Sequence, residues 1–164
     1  MASPRDPVDR MVEQWERERP DLAFDAMGTI GRLGRLMAFV NTSIEEVFAT
    51  HGISVGDFDV LAALRRSGEP FVLRPTELAR QLMLSPAGMT NRLDRLAKAE
   101  LIDRTPDPED RRGWLIELSD RGRAIVDAAV ADHVANEERL LSVLDAGQRT
   151  AFDDALRTLA RQFD

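Results

Sequence analysis

Hydrophobic residues recur along this chain at helical spacing, interrupted once by a short alternating stretch. From Pro7 to Arg19, Val8, Met11, Val12 and Trp15 fall at i, i+3, i+4 and i+7, which predicts a short amphipathic helix ended by Pro20. A longer helix is expected from Asp25 to Thr50, with Ile30, Leu33, Met37, Val40, Ile44, Val47 and Phe48 on its apolar face and His51-Gly52 as its stop. Gly28, Gly31 and Gly34 each lower intrinsic helix stability by ~1 kcal/mol relative to Ala, so their presence implies close approach by another backbone. Ser54-x-x-Asp57 reads as a capping box opening a third helix to about Arg66, with Ile53 placed to staple onto Phe58. Asp59 lies close to the apolar side of that helix, formed by Phe58, Leu61, Ala62 and Leu64, an unusual place for an acid.

Between Arg74 and Ser119 the pattern changes twice. Pro75 suits a first helical position and Glu77 the first turn, with Leu78, Ala79 and Leu82 as the apolar stripe. After only Met83-Leu84, Ser85 and Pro86 start another helix, which is helix-turn-helix spacing. On this second helix Met89, Leu93, Leu96 and Ala97 face the core, leaving Ala87, Gly88, Thr90, Asn91, Arg95 and Lys98 outward. Leu101 to Thr105 and Trp114 to Leu118 read as two strands joined by a loop carrying Pro106, Asp107, Pro108 and Gly113, with Phe71-Val72-Leu73 as a third strand. Ser119 then caps a long helix through Leu144, which Ala146-Gly147 breaks, and a last helix carries Phe152, Leu156, Leu159, Ala160 and Phe163. The expected fold class is mainly α (α+β), a winged helix-turn-helix with flanking helices.

A chain of 164 residues is long enough for one domain with a substantial core. Within a single domain 1–164, residues 53–119 form the winged-helix lobe, and 7–52 and 120–164 supply terminal helices. Their apolar faces exceed what one lobe can cover, so they are expected to form a dimerisation region. A twofold homodimer places two reading helices about one turn of DNA apart. The absence of Cys excludes disulfides and thiolate metal sites, and His51 and His133 lack ligand-spaced partners, so neither metal nor other cofactor is expected. No nucleophile–base pairing and no glycine-rich phosphate loop argues for an enzyme. No apolar run approaches ~18 residues and the N-terminus lacks a signal-peptide core, which together predict a cytoplasmic chain with no membrane partner.

The net charge of −7 opposes bulk attraction to nucleic acid, but its distribution changes the picture. Residues 74–119 carry eight basic and eight acidic side chains, so the whole deficit lies outside this stretch. Contact with double-stranded DNA then has to come from geometry. Small and polar residues at the start of the second helix (Ser85, Ala87, Gly88) fit a major groove, Thr90 and Asn91 read base edges, and Arg95 or Lys98 meets phosphate. Arg111 and Arg112 sit beside the loop, where a narrow minor groove concentrates negative potential. A winged helix used for protein contact without specific DNA is the alternative.

The run Glu77-Leu78-Ala79, the opening Ser85-Pro86, Leu93-Asp94-Arg95-Leu96, Leu101-Ile102, Asp110-x-Arg112 and Leu118-Ser119 resembles the MarR family of regulators, in the family's order. The resemblance implies a repressor that a small ligand releases, with Asp110 orienting the wing and Arg112 touching DNA. The extra N-terminal helix with Trp15 resembles the urate-responsive branch of that family, whose ligand site uses a Trp, an Asp and two Arg. Carried onto this sequence these are Trp15, Asp59, Arg92 and Arg104, and an anionic purine there would loosen carboxylate–guanidinium pairs holding the reading helix. Asp57 is the other acid nearby, and its place in the capping box accounts for it. A tricarboxylate such as trans-aconitate or citrate, or a phenolic ligand, also fits the resemblance.

Overall fold

A computed structural model describes residues 5–110 and 113–163. Its elements run α1 (Pro7–Glu18), α2 (Asp25–Thr50), α3 (Val55–Arg66), β1 (Val72–Leu73), α4 (Pro75–Gln81), α5 (Pro86–Lys98), β2 (Ile102–Pro106), β3 (Trp114–Leu118), α6 (Asp120–Leu141) and α7 (Ala146–Ala160). This is the mainly helical winged-helix architecture that the hydrophobic pattern predicts. No single helix among the described residues is long and apolar enough to cross a membrane.

The chain divides after Ser43 into two compact units, and α2 begins in the first and ends in the second. In the first unit α1 packs on the opening half of α2. Asp6 caps α1, accepting hydrogen bonds from the Val8 and Asp9 N–H groups, and also meets Arg32 of α2 at 2.7 Å. Val8 is buried, and a Cβ at Gly31 would lie 3.3 Å from it, so this glycine admits α1. Gly34, predicted to serve the same purpose, has nothing within 4 Å. Trp15 stacks on Phe24 with ring centroids 6.1 Å apart.

The second unit holds the main core. Leu61 and Leu64 of α3, Leu78 of α4, Met89 and Leu96 of α5, Ile116 of β3 and Val126 of α6 are all buried. Phe48, at the end of α2, stacks on Phe58 of α3 at 4.1 Å, and His133 of α6 tilts against both rings. The antiparallel sheet has the order β1-β3-β2, with Ile102 opposite Leu118 and Pro106 opposite Trp114. β1 is shorter than predicted: Phe71 adopts a left-handed φ of 61° and only its carbonyl, which accepts from the Leu118 N–H at 3.2 Å, reaches β3. Arg65 and Arg123 both lie over the Phe71 ring, at 5.0 and 5.2 Å.

β2 is shifted by one residue from the expected Leu101 to Thr105, and a helix boundary differs as well. The break after α6 comes at residues 142–144 and not at Ala146-Gly147, which open α7 instead. Asp145 decides this: its side chain accepts from the Gln148 N–H at 2.9 Å while Gln148 reaches back to the Asp145 N–H at 3.0 Å, a capping box stronger than the local glycine signal. No described residue of α7 is buried, and Leu156, Leu159 and Phe163 stand exposed, as do Val134 of α6 and Phe39 of α2.

Two substitutions test this packing by denaturant titration. A Cβ at Gly122 would collide with the backbone carbonyl of Leu101, so Gly122→Ala is expected to lower stability by about 3 kcal/mol. Met83 is almost wholly exposed at a left-handed φ of 52°, so Met83→Gly is expected to raise stability by up to ~1 kcal/mol.

Candidate nucleic-acid interface and switch

Arg74 precedes α4, Pro75 and Glu77 begin it, and Ser85 caps α5 by accepting from the Gly88 N–H at 3.1 Å. Burial of Met89, Leu93 and Leu96 turns the opposite side of α5 to solvent. Ser85, Ala87, Thr90, Asn91, Arg95 and Lys98 are exposed there, and Gly88 is half-buried. The Thr90 hydroxyl donates back to the Pro86 carbonyl at 3.0 Å, which fixes its rotamer. Lys98 lies in the last turn of the helix.

The hairpin β2–β3 forms the wing. Its loop closes through Asp107 N–H to Gly113 C=O at 3.1 Å and Gly113 N–H to Asp110 C=O at 2.8 Å. Arg111 and Arg112, the expected wing contacts, lie outside the described residues. Asp107 is an organiser that sequence reasoning missed. Its buried carboxylate accepts from Arg74 Nε at 2.7 Å and from the Glu109 N–H at 2.9 Å, and Glu109 also pairs with Arg74. Arg74 first, then the Glu109 N–H, hold the Asp107 carboxyl below the usual carboxylate range, and the two acids raise the Arg74 guanidinium further above its ordinary value. The Asp107-Pro108 step, a common turn opener, was the available signal.

The expected switch residues fall into separate groups. Trp15 lies in the first unit, half-exposed beside Phe24. In the second unit Arg92 Nη1 is 3.7 Å from Asp59 Oδ2 and donates to the Gly56 carbonyl at 3.1 Å. Arg104 pairs with Asp94 of α5 at 2.6 Å, tying β2 to that helix. A cavity of about 270 Å³ lined by Pro75, Thr90, Leu93, Arg104, Trp114 and Ile116 lies between α4, α5 and the sheet.

The shortest link between α3 and α5 is one to which the sequence assigned only a capping role. Asp57 Oδ1 accepts from Arg95 Nη2 at 2.6 Å and Nε at 2.9 Å, while its other oxygen accepts from the Ser54 hydroxyl at 2.6 Å and the Ser54 N–H at 3.0 Å. Burial pushes the Asp57 carboxyl up, and the Arg95 and Ser54 hydrogen bonds outweigh it, leaving a pKa below the ordinary value. His51 meets Asp132 at 2.9 Å and His133 meets Glu137 at 3.2 Å. Among the described residues no three His, Cys, Asp or Glu side chains form a metal-holding group.

Comparison with known proteins bears on what this geometry serves. Residues 51–113 match the MarR family model. Over 143 residues, 87% of this chain and 86% of the relative, the sequence is 38% identical to the HTH-type transcriptional regulator PecS of Dickeya dadantii (strain 3937). The chain belongs to the MarR family. It is 32% identical to the multiple antibiotic resistance protein MarR of Escherichia coli (strain K12) over 62% of this chain and 71% of that protein. The structure of an E. coli MarR mutant complexed with operator DNA superposes with a TM-score of 0.70 at 25% identity, covering 84% of this chain and 98% of that one. AbsC of Streptomyces coelicolor, at 23% identity, shares the fold with a TM-score of 0.74 over 87% of this chain and 97% of its own. The protein is a transcriptional regulator of the MarR family.

The depressed carboxyls set a pH dependence for this MarR-family lobe. A carboxyl whose folded pKa lies below its unfolded value of about 4 adds stability at neutral pH, and that contribution is lost as pH falls through the folded pKa. Unfolding titrations are therefore expected to show a steady plateau from pH 7 to 5 and a decline below about pH 4. In Asp107→Asn the plateau is lower and the acid decline shallower.

Proposed function

We propose that this chain is a ligand-responsive repressor, acting in the cytoplasm as a homodimer on a pseudopalindromic operator, and that a small anion such as urate releases it. The observation that carries the reading is α5 itself: its apolar side is buried, and Thr90 and Asn91 stand on the exposed side with Arg95 and Lys98 toward its end. In this reading Ser85, Ala87 and Gly88 admit the helix to the major groove, Thr90 and Asn91 read bases, and Lys98 meets phosphate. Asp110 orients the wing, from which Arg111 and Arg112 reach the minor groove.

Each unit leaves apolar side chains exposed, Ile30 and Phe39 in one and Val134, Leu156, Leu159 and, beyond α7, Phe163 in the other, which supports pairing of two copies through residues 7–52 and 120–164 around the 53–119 lobes. The ligand reading rests on Trp15, Asp59, Arg92 and Arg104. Arg92 beside Asp59 is the kind of loose pair that an anion competes for. The cavity bearing Thr90, Arg104 and Trp114 favours a second reading, an aromatic acid such as a phenolic carboxylate held behind the reading helix. A tricarboxylate is a further competitor for the same arginines.

Duplexes tiled across the region upstream of the coding sequence are expected to include one bound more tightly than random DNA, with affinity falling steeply as salt rises. Equal binding to all duplexes overturns the regulator reading in favour of a protein-contact module. With that duplex, saturating urate is expected to weaken binding at least about tenfold and to quench tryptophan fluorescence, a coupling of about 1.4 kcal/mol. Unchanged affinity removes urate, and parallel titrations with citrate and salicylate decide between the competitors. Arg112→Ala is expected to lower DNA affinity while sedimentation still reports a dimer; full affinity overturns the wing contact.

A further inference from the structure

We propose that Asp57 is the positioning residue that aims Arg95 at the DNA backbone, so that the first turn of α3 sets the register of the reading helix on its operator. The inference rests on α5 being the reading helix. Arg95 follows Asn91 by one turn on the exposed side of α5, and its side chain is 55% exposed even though Nε and Nη2 both donate to Asp57. An arginine side chain carries ~2 kcal/mol of rotamer entropy, and a carboxylate holding one edge of the guanidinium removes much of that freedom before phosphate arrives. Asp57 is itself anchored from the other side. Its side chain is 10% exposed and is held by the Ser54 hydroxyl and N–H.

The inner side of α5 leans on the same turn. Arg92 donates to the Gly56 carbonyl, and a Cβ at Gly56 would lie 2.7 Å from the Arg92 guanidinium carbon, so the guanidinium packs directly on this turn. Asp59 makes a longer contact, 3.7 Å from Arg92, and is 45% exposed. Of the two acids on α3, Asp57 is therefore the one whose geometry fixes an exposed arginine of the reading helix.

Two physical roles for Asp57 predict opposite signs. An acid beside a phosphate-binding surface repels DNA, so on charge alone its removal strengthens binding. A positioning acid weakens binding when removed. Asp57→Gln separates the two, because Gln at the third helical position also completes a capping box with Ser54 and keeps the start of α3 intact.

The experiment measures affinity for the duplex that the wild-type chain prefers, over a range of salt concentrations. Asp57→Gln is expected to weaken binding about tenfold with the slope of log K against log salt unchanged. Arg95→Gln weakens it with a slope smaller by about one, and the double variant is no weaker than Arg95→Gln alone. Arg95→Lys, which keeps the charge and leaves the cap untouched, loses affinity without losing slope. Wild-type or higher affinity in Asp57→Gln, losses that add in the double variant, or full affinity in Arg95→Lys each overturns the proposal. A wild-type chain that prefers no duplex overturns the DNA reading instead, so the two failures are distinct.

Discussion

A helix that buries Met89, Leu93 and Leu96 beneath α3 and the sheet has little freedom left in the direction its other side faces, and on α5 that other side carries Ser85, Thr90, Asn91, Arg95 and Lys98. The elements around it keep that orientation. α4 butts against α5 through the short turn at Met83-Leu84, β2 is tied to it by the pair Arg104–Asp94, and α3 by Arg95–Asp57. The wing is referred to the same frame through Arg74 and Asp107, which join the start of α4 to the loop of the hairpin. α5 and the wing are thus held to one frame by these links.

Charge in this piece is arranged for direction. Arg74, Arg92, Arg95 and Arg104 each stand beside a carboxylate, Asp107, Asp59, Asp57 and Asp94 respectively. Exposed pairs of this kind contribute little to stability, typically 0–1 kcal/mol, and their effect is to restrict where a guanidinium points. The Asp57 and Asp107 pairs differ from the others because their carboxylates are nearly buried and accept backbone or hydroxyl hydrogen bonds as well. A partner that competes for one of these arginines acts on orientation first and on stability second.

Local signals explain what was legible in the sequence. Caps at Ser54, Ser85 and Ser119, proline at the start of α4 and α5, and the alternation in β3 all act within four residues, and each appears in the structure where the pattern put it except that Trp114, at the outer end of β3, is exposed while Ile116 and Leu118 are buried. The break after α6 differs for a local reason too, since the Asp145 and Gln148 box outweighs the helix-breaking tendency of Gly147. The carboxylate partners of Arg95 and Arg74 lie 38 and 33 residues away along the chain and leave no periodic trace. Position 57 already had a sufficient explanation as a cap, so its second role was invisible until α5 was placed against it. The family resemblance supplied Asp59, Arg92 and Arg104, of which the fold joins Arg92 to Asp59 and sends Arg104 to Asp94.

The carboxylates seated beside these arginines have a consequence for how such a regulator searches. Random DNA attracts a protein through unneutralised positive charge, and a chromosome offers ~10⁶ or more competing sites. A lobe in which Arg74, Arg92, Arg95 and Arg104 already stand beside carboxylates offers wrong sequence less bare charge than an uncompensated one. Fewer copies are then sequestered by the bulk of the genome, and occupancy of a specific site tracks the number of molecules more closely than it would for a strongly basic regulator.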